Sequence, residues 1–159
     1  MKKLLIALML TLISVGIVGC SNKDADENKR KAQLYDAMQK QKETQAPSGW
    51  TYIEENAEKD GYVYVDLSTI RRVGNMVKMW NLYDYKIVQE PTGDKYLSAA
   101  LLYEYDCKEE QSRHRATAQY SGKKQTGQSV YTNNYIGEWS PLTPNSIGKD
   151  LWKIACGKK

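Results

Sequence analysis

By its hydrophobic and polar positions the chain divides into three stretches of different texture. Leu4 to Val18 is an apolar run interrupted only by Thr11, Ser14 and Gly16. Ser21 to Ser48 is charged and Gln-rich, with few apolar residues. Leu34, Ala37 and Met38 fall at i, i+3 and i+4, a thin helical stripe with Tyr35 beside it. Set among Lys, Gln, Ala and Glu, this spacing predicts a solvated helix over 25–44. Ala46-Pro47-Ser48-Gly49 ends it. From Trp50 onward the dominant period is two, the period of strands.

Trp50 to Glu54 predicts a first strand and Tyr62 to Leu67 an alternating second, with a polar turn between them. Ser68 to Gly74 reads as a turn region, with room for one helical turn capped by Ser68. Asn75 to Ile87 predicts a third strand with Val77, Met79, Tyr83 and Tyr85 on one side and Trp80 and Leu82 on the other. Apolar on both sides, it suits a central place in the sheet or cover on both faces. Glu90 to Asp94 is a Pro/Gly turn. Lys95 to Cys107 is the clearest strand. Leu97, Ala99, Leu101, Tyr103, Tyr105 and Cys107 share one face, and Ser98, Ala100, Leu102, Glu104 and Asp106 the other. After the charged turn Lys108 to Gln111, Ser112 to Tyr120 returns with His114, Ala116, Ala118 and Tyr120 on one face. Arg113, Arg115, Thr117 and Gln119 take the other. In a hairpin, Glu104 and Asp106 then come near Arg113 and Arg115, where opposite charges contribute up to about 1 kcal/mol per pair. Gln128 to Asn133 predicts a sixth strand, and Trp139 to Leu142 is extended.

The chain closes on a helix over 144–156. Ile147, Leu151, Ile154 and Ala155 form one face, and either Thr143 with Pro144 or Ser146 caps its start. Gly157 stands at the C-cap, followed by Lys158 and Lys159 at the negative end of the helix dipole. The expected fold class is therefore α+β: a single antiparallel sheet of about six strands, a packed C-terminal helix, and a helical or disordered N-terminal tether.

The N-terminal apolar run changes the picture once its flanks are read. Met1-Lys2-Lys3 is a positive start, and Ile17-Val18-Gly19-Cys20 has the small residue and cysteine of a bacterial lipobox. The run fits a secretory signal peptide better than a membrane span. Residues 1–19 are expected to be removed, Cys20 to carry lipid, 20–48 to act as a tether and 49–159 to fold. Partners then include a membrane, reached through the N-terminal lipid. Ser21 after the cysteine is compatible with sorting to the outer membrane. With Cys20 acylated, Cys107 and Cys156 remain, and an even pair in an oxidising compartment reads as one disulfide. It closes a loop of about 50 residues, worth about 4 kcal/mol in the chain-entropy account.

Charge and composition mostly exclude. The formal charge of +4 includes Lys2 and Lys3, so the folded part is close to neutral and carries no nucleic-acid footprint. There is no Phe, but twelve Tyr and four Trp, a composition of amphipathic sheet faces and also of binding surfaces. The single histidine, His114, lies on a strand between two arginines, outside any nucleophile motif, and reads as a packed or surface ring. No set of metal ligands, phosphate loop or cofactor motif is apparent. A non-enzymatic protein without cofactors is expected. Cations on the turns and the polar sheet face are the candidate contacts: Arg71, Arg72, Arg113, Arg115, Lys123 and Lys124. Each of these is also an ordinary solvated charge.

Several segments together carry a resemblance. They are Tyr64-Val65-Asp66-Leu67-Ser68-Thr69-Ile70-Arg71-Arg72, Val77-Lys78-Met79-Trp80, Asp84-Tyr85-Lys86, and Tyr103-Glu104-Tyr105-Asp106-Cys107. Tyr120-Ser121-Gly122, Trp139, Pro144-Asn145-Ser146-Ile147-Gly148 and Leu151-Trp152-Lys153-Ile154-Ala155-Cys156 follow in order. Over residues 50–156 the chain resembles the bacterial surface-adhesin protein E family of small exported lipoproteins. Asn145 stands where that family usually has Gly, and Asn tolerates the same turn geometry. The resemblance implies a compact antiparallel sheet with a disulfide-tied C-terminal helix, surface exposure, and adhesion to host matrix or serum proteins such as vitronectin and laminin. The competing expectation is an envelope lipoprotein facing the periplasm, as an assembly accessory or lysozyme inhibitor.

Overall fold

The computed structural model describes residues 23–158 apart from residue 92, so the expected signal peptide and Cys20 lie outside the described residues. Helix α1 spans Lys23–Thr44. It is solvated along its described length, with Leu34, Tyr35 and Met38 all exposed. Among the described residues, no helix is long and apolar enough to cross a membrane.

The sheet is an antiparallel meander of β1 (Thr51–Glu55), β2 (Gly61–Val73), β3 (Met76–Gln89), β4 (Tyr96–Asp106), β5 (Gln111–Tyr120) and β6 (Ser129–Asn133), paired in sequence order. A two-residue strand β7 (Ser140–Pro141) also pairs with β5, so β6 and β7 share its outer edge. Sequential hairpins need no crossover, so short turns suffice to connect the strands.

Register shifts interrupt each pairing from β1 to β6, and those in β2–β3 and β4–β5 bear most on the site. Residues 68–73, expected as a turn, instead continue β2 to Val73, with a register shift between Asp66 and Arg71. Side chains replace the missing ladder bonds there. Asp66 Oδ1 accepts from the Ser68 amide at 2.9 Å and Ser68 Oγ at 2.6 Å, and Trp80 N donates to Thr69 Oγ1 at 3.1 Å. The reversal comes at Gly74-Asn75, where Gly74 takes the positive φ of 60° that the turn requires. The second bulge places Leu102 opposite Ala116 but Tyr103 opposite His114, leaving Arg115 as the extra residue. A bulge inverts the alternation beyond it. The expected faces of β5 are therefore corrected: Arg113 joins Ala116, Ala118 and Tyr120 on one face, and His114 joins Thr117 and Gln119 on the other.

Helix α2 (Ile147–Cys156) covers one face of the sheet. Leu151, Trp152, Ala155 and Cys156 pack against Val63, Val65, Val77, Met79 and Tyr105. Of the two possible caps, Ser146 is used, its hydroxyl accepting from Lys149 N at 3.3 Å. Asn145 just before it has φ 58°, the left-handed geometry that a glycine adopts without cost. Gly157, at φ 65°, ends the helix with the Lys158 amide bonded to Lys153 O. Trp152 Nε1 donates to Asp106 O at 2.9 Å, and the Cys107–Cys156 disulfide joins the helix end to the end of β4 at a Cα separation of 5.6 Å.

Candidate binding surface

Within the described residues of the sheet unit, 41–158, no helix longer than the turn Lys123–Gln125 packs on the other face. At one end Tyr62, Tyr64 and Leu82 form a small cluster under Ala46 and Trp50. The turn Lys123–Gln125 is bonded down beside them: Asp84 Oδ1 accepts the Lys124 amide at 2.6 Å, and Ser98 Oγ accepts the Gln125 amide at 2.9 Å. Both Lys124 and Gln125 have positive φ, held by these bonds and by Ser98 Oγ donating to Gly122 O at 2.7 Å. Between this turn and the middle of the sheet lies a groove of about 360 Å³. Trp50, Trp80 and Tyr120 provide its aromatic surface, Ala100 and Ala118 lie among the lining residues, and Asp66, Thr69 and Gln125 supply polar groups. The two alanines matter because small side chains at neighbouring sheet positions leave a slot between large rings.

At the far end of the same face the register lines up Arg71, Lys78, Glu104 and Arg113 across four strands. Glu104 is buried. It accepts from Arg113 Nε at 2.7 Å and Nη2 at 2.6 Å and from Arg115 Nη1 at 3.1 Å, with Lys78 Nζ at 3.9 Å. The bulge brings both arginines onto one carboxylate, where strict alternation alone would not settle the geometry. Arg113 also stacks on Trp139, its guanidinium carbon 4.4 Å from the ring centre. Arg71 Nη1 donates to Ser68 O at 2.7 Å and Ile70 O at 2.9 Å, so its charge is held at the sheet's outer edge without an acidic partner in those bonds. Three cations thus surround a single carboxylate, with Arg71 across from Lys78 on the neighbouring strand.

The six candidate cations separate accordingly. Arg71, Arg113 and Arg115 gather on the open face. Arg72 points to the helix side, donating to Ala155 O at 3.4 Å and approaching Cys107 Sγ at 3.7 Å. Lys123 and Lys124 stand at the opposite end, where Lys124 Nζ donates to Gln45 O at 2.6 Å. Asp106, expected in the ion-pair group, instead closes the β4–β5 turn by accepting from the amides of Lys108 and Glu109. Lys78, Trp50, Trp80 and Trp139 also stand on this face, outside the six cations that the sequence offers as contacts. Their signal was the alternation that places Lys78 and Trp80 on the same side of β3.

His114 is away from this surface. Its ring meets Tyr103 edge-on, Nδ1 lies 3.0 Å from Tyr135 O and Nε2 2.6 Å from Thr117 Oγ1. A carbonyl only accepts, so the neutral ring carries its proton on Nδ1 and Nε2 accepts from the threonine hydroxyl. Among the described residues, no group of three or more His, Cys, Asp or Glu is placed to hold a metal. Burial raises the hydroxyls of Tyr83 and Tyr105, beneath α2, far above their ordinary range, and that of Tyr85, against Tyr96, to about 12. Glu54 is raised by desolvation first and by Asp150 second.

Compared with known proteins, residues 50–157 match the family model described as surface-adhesin protein E. Among solved structures, crystal form II of Haemophilus influenzae protein E is similar at TM-score 0.56 and 16% identity, over 72% of this chain and 91% of that one. Protein E from non-typeable Haemophilus influenzae is similar at TM-score 0.54 and 17% identity, over 72% and 79%. At such identities the likeness is one of fold. No curated protein matches the chain at a significant level.

Proposed function

The chain belongs to the surface-adhesin protein E family, and from that premise we propose a non-enzymatic protein, anchored by lipid on Cys20 to the outer membrane, that binds host matrix or serum proteins. Residues 21–48 form the leash between lipid and domain; fully helical it reaches roughly 30–40 Å. The observation that carries the reading is the family match over the whole sheet domain. The sheet face opposite α2, with its cations, supports placing the contact there. Arg71, Arg113 and Arg115 are the candidate contacts, while Arg72 and Lys124 are engaged in holding local structure and Lys123 stands at the opposite end of the face. Charge on a rim steers encounter more than it adds affinity.

Capture of the full chain on immobilised vitronectin or laminin tests the binding. Saturable capture at micromolar concentration, weakened by added salt, is expected; its absence sinks the reading for those ligands. Protease treatment of intact cells tests orientation. Digestion without permeabilisation is expected, and protection until the outer membrane is opened favours the periplasm-facing role. Cys20→Ala is expected to release the protein from the membrane fraction.

A further inference from the structure

The aromatic groove and the cation cluster are parts of one surface. Lys78 and Trp80 point the same way two residues apart on β3, a separation of about 7 Å. Arg113 and Arg115 lie one strand beyond Glu104, and Arg71 lies across from Lys78. Lys78, Arg113 and Arg115 share one buried carboxylate there, with Arg71 across from Lys78, so the cations outnumber that carboxylate. Arg113, Arg115 and Lys78 are all partly open to solvent, Lys78 most so at 41%. Next to them the groove offers aromatic rings, a slot at two alanines, and a carboxylate, a hydroxyl and an amide.

We infer that this surface binds an anionic oligosaccharide, one whose rings carry both free hydroxyls and sulfate or carboxylate groups. The inference rests on the reading of the open face as the binding face and names a ligand class for it. Three features select that chemistry. A volume of about 360 Å³ is of the size that encloses a small ligand, roughly 300–1,000 Å³, whereas a protein partner needs only a broad flat contact. Flat rings flanking a slot suit the C–H faces of a pyranose, which pack on a ring while its hydroxyls stay at the edge. Asp66 and Gln125 in the groove accept from hydroxyl donors, while the arginines pair with sulfate or carboxylate in forked geometry. A purely acidic peptide would satisfy the cations but present its charge to Asp66 as well.

The experiment is titration calorimetry of the full chain in detergent with a heparin-derived tetrasaccharide, its fully desulfated counterpart and an oligoglutamate of equal charge. Saturable binding of the sulfated sugar is expected, at least tenfold tighter than either control. Lys78→Gln and, separately, Trp80→Leu should each weaken it by about tenfold, with melting temperatures close to wild type. Tryptophan fluorescence should change on binding and lose most of that change in Trp80→Leu. No saturable binding, or binding unchanged in both variants, overturns the proposal. Equal binding of the desulfated sugar or of oligoglutamate also overturns it, the latter in favour of an acidic polypeptide. Vitronectin and laminin capture on the same preparation separates the two readings. Capture without sugar binding removes only this inference, and sugar binding without capture removes only the matrix-protein reading.

Discussion

Glu104 shows how much one residue organises. Its carboxylate is buried beneath two guanidinium groups and near an ammonium, so removing its charge leaves partly buried cations without their partner. Breaking a buried pair costs about 3–5 kcal/mol, less here because both arginines are about a quarter exposed. Glu104→Gln is expected to destabilise by about 2 kcal/mol in urea unfolding, with the loss shrinking in high salt. Asn145 makes the opposite kind of point. A non-glycine residue at φ 58° bears a local strain that Asn relieves better than most. Asn145→Ala should lose about 1 kcal/mol, while Asn145→Gly should unfold at nearly the wild-type urea concentration. The cross-strand attraction of Glu104 and Arg113 was legible in the sequence, because hairpin partners follow from turn position. The second arginine on the same carboxylate was not, because it depends on a bulge.

At the scale of elements, α2 and the bulged strands carry different information. The amphipathic spacing and the caps define α2 locally, and the cysteine count assigns its tie to β4. The disulfide joins positions 49 apart in sequence and so constrains the unfolded chain by about 4 kcal/mol. Reduction should lower the melting temperature by on the order of 10–20 °C, and an unchanged transition in dithiothreitol would contradict a stabilising tie. Strands β2 and β5 are read correctly only in part. Ser68 and Thr69 look like turn formers, yet here their hydroxyls bond Asp66 and Trp80 and carry the strand through its irregularity. Local preference for a turn is satisfied inside a strand, a distinction the residue types alone do not make.

At the scale of the molecule the sheet has two unlike faces. The helix side buries a tyrosine-rich core, and the open side keeps its tryptophans and cations accessible. The buried tyrosines give a pH prediction. Tyr83, Tyr85 and Tyr105 hold their protons more tightly when folded than the ordinary tyrosine near pH 10, because burial penalises the phenolate. Groups raised in this way contribute stability that is complete below about pH 10 and is lost as pH rises through the folded values. Unfolding free energy should therefore fall between about pH 10 and pH 12, with Tyr85 at about 12 ionising first of the three. Urea unfolding followed across that window together with tyrosinate absorbance checks it. A flat profile would contradict the buried hydroxyls.

By itself, the sequence determined the meander of strands, the terminal helix with its glycine cap, the pairing of Cys107 with Cys156, and the family. These follow from periods, caps and counts, which act over a few residues or require no geometry at all. Only the tertiary structure decided which face α2 covers, where the bulges fall, and so which of six candidate cations stand together. Those outcomes depend on strand register and helix docking, where one extra residue inverts every side chain beyond it. Arg113 and Arg72 look alike in the sequence. One completes a cationic surface beside three aromatic rings, and the other bonds the end of a helix on the opposite side.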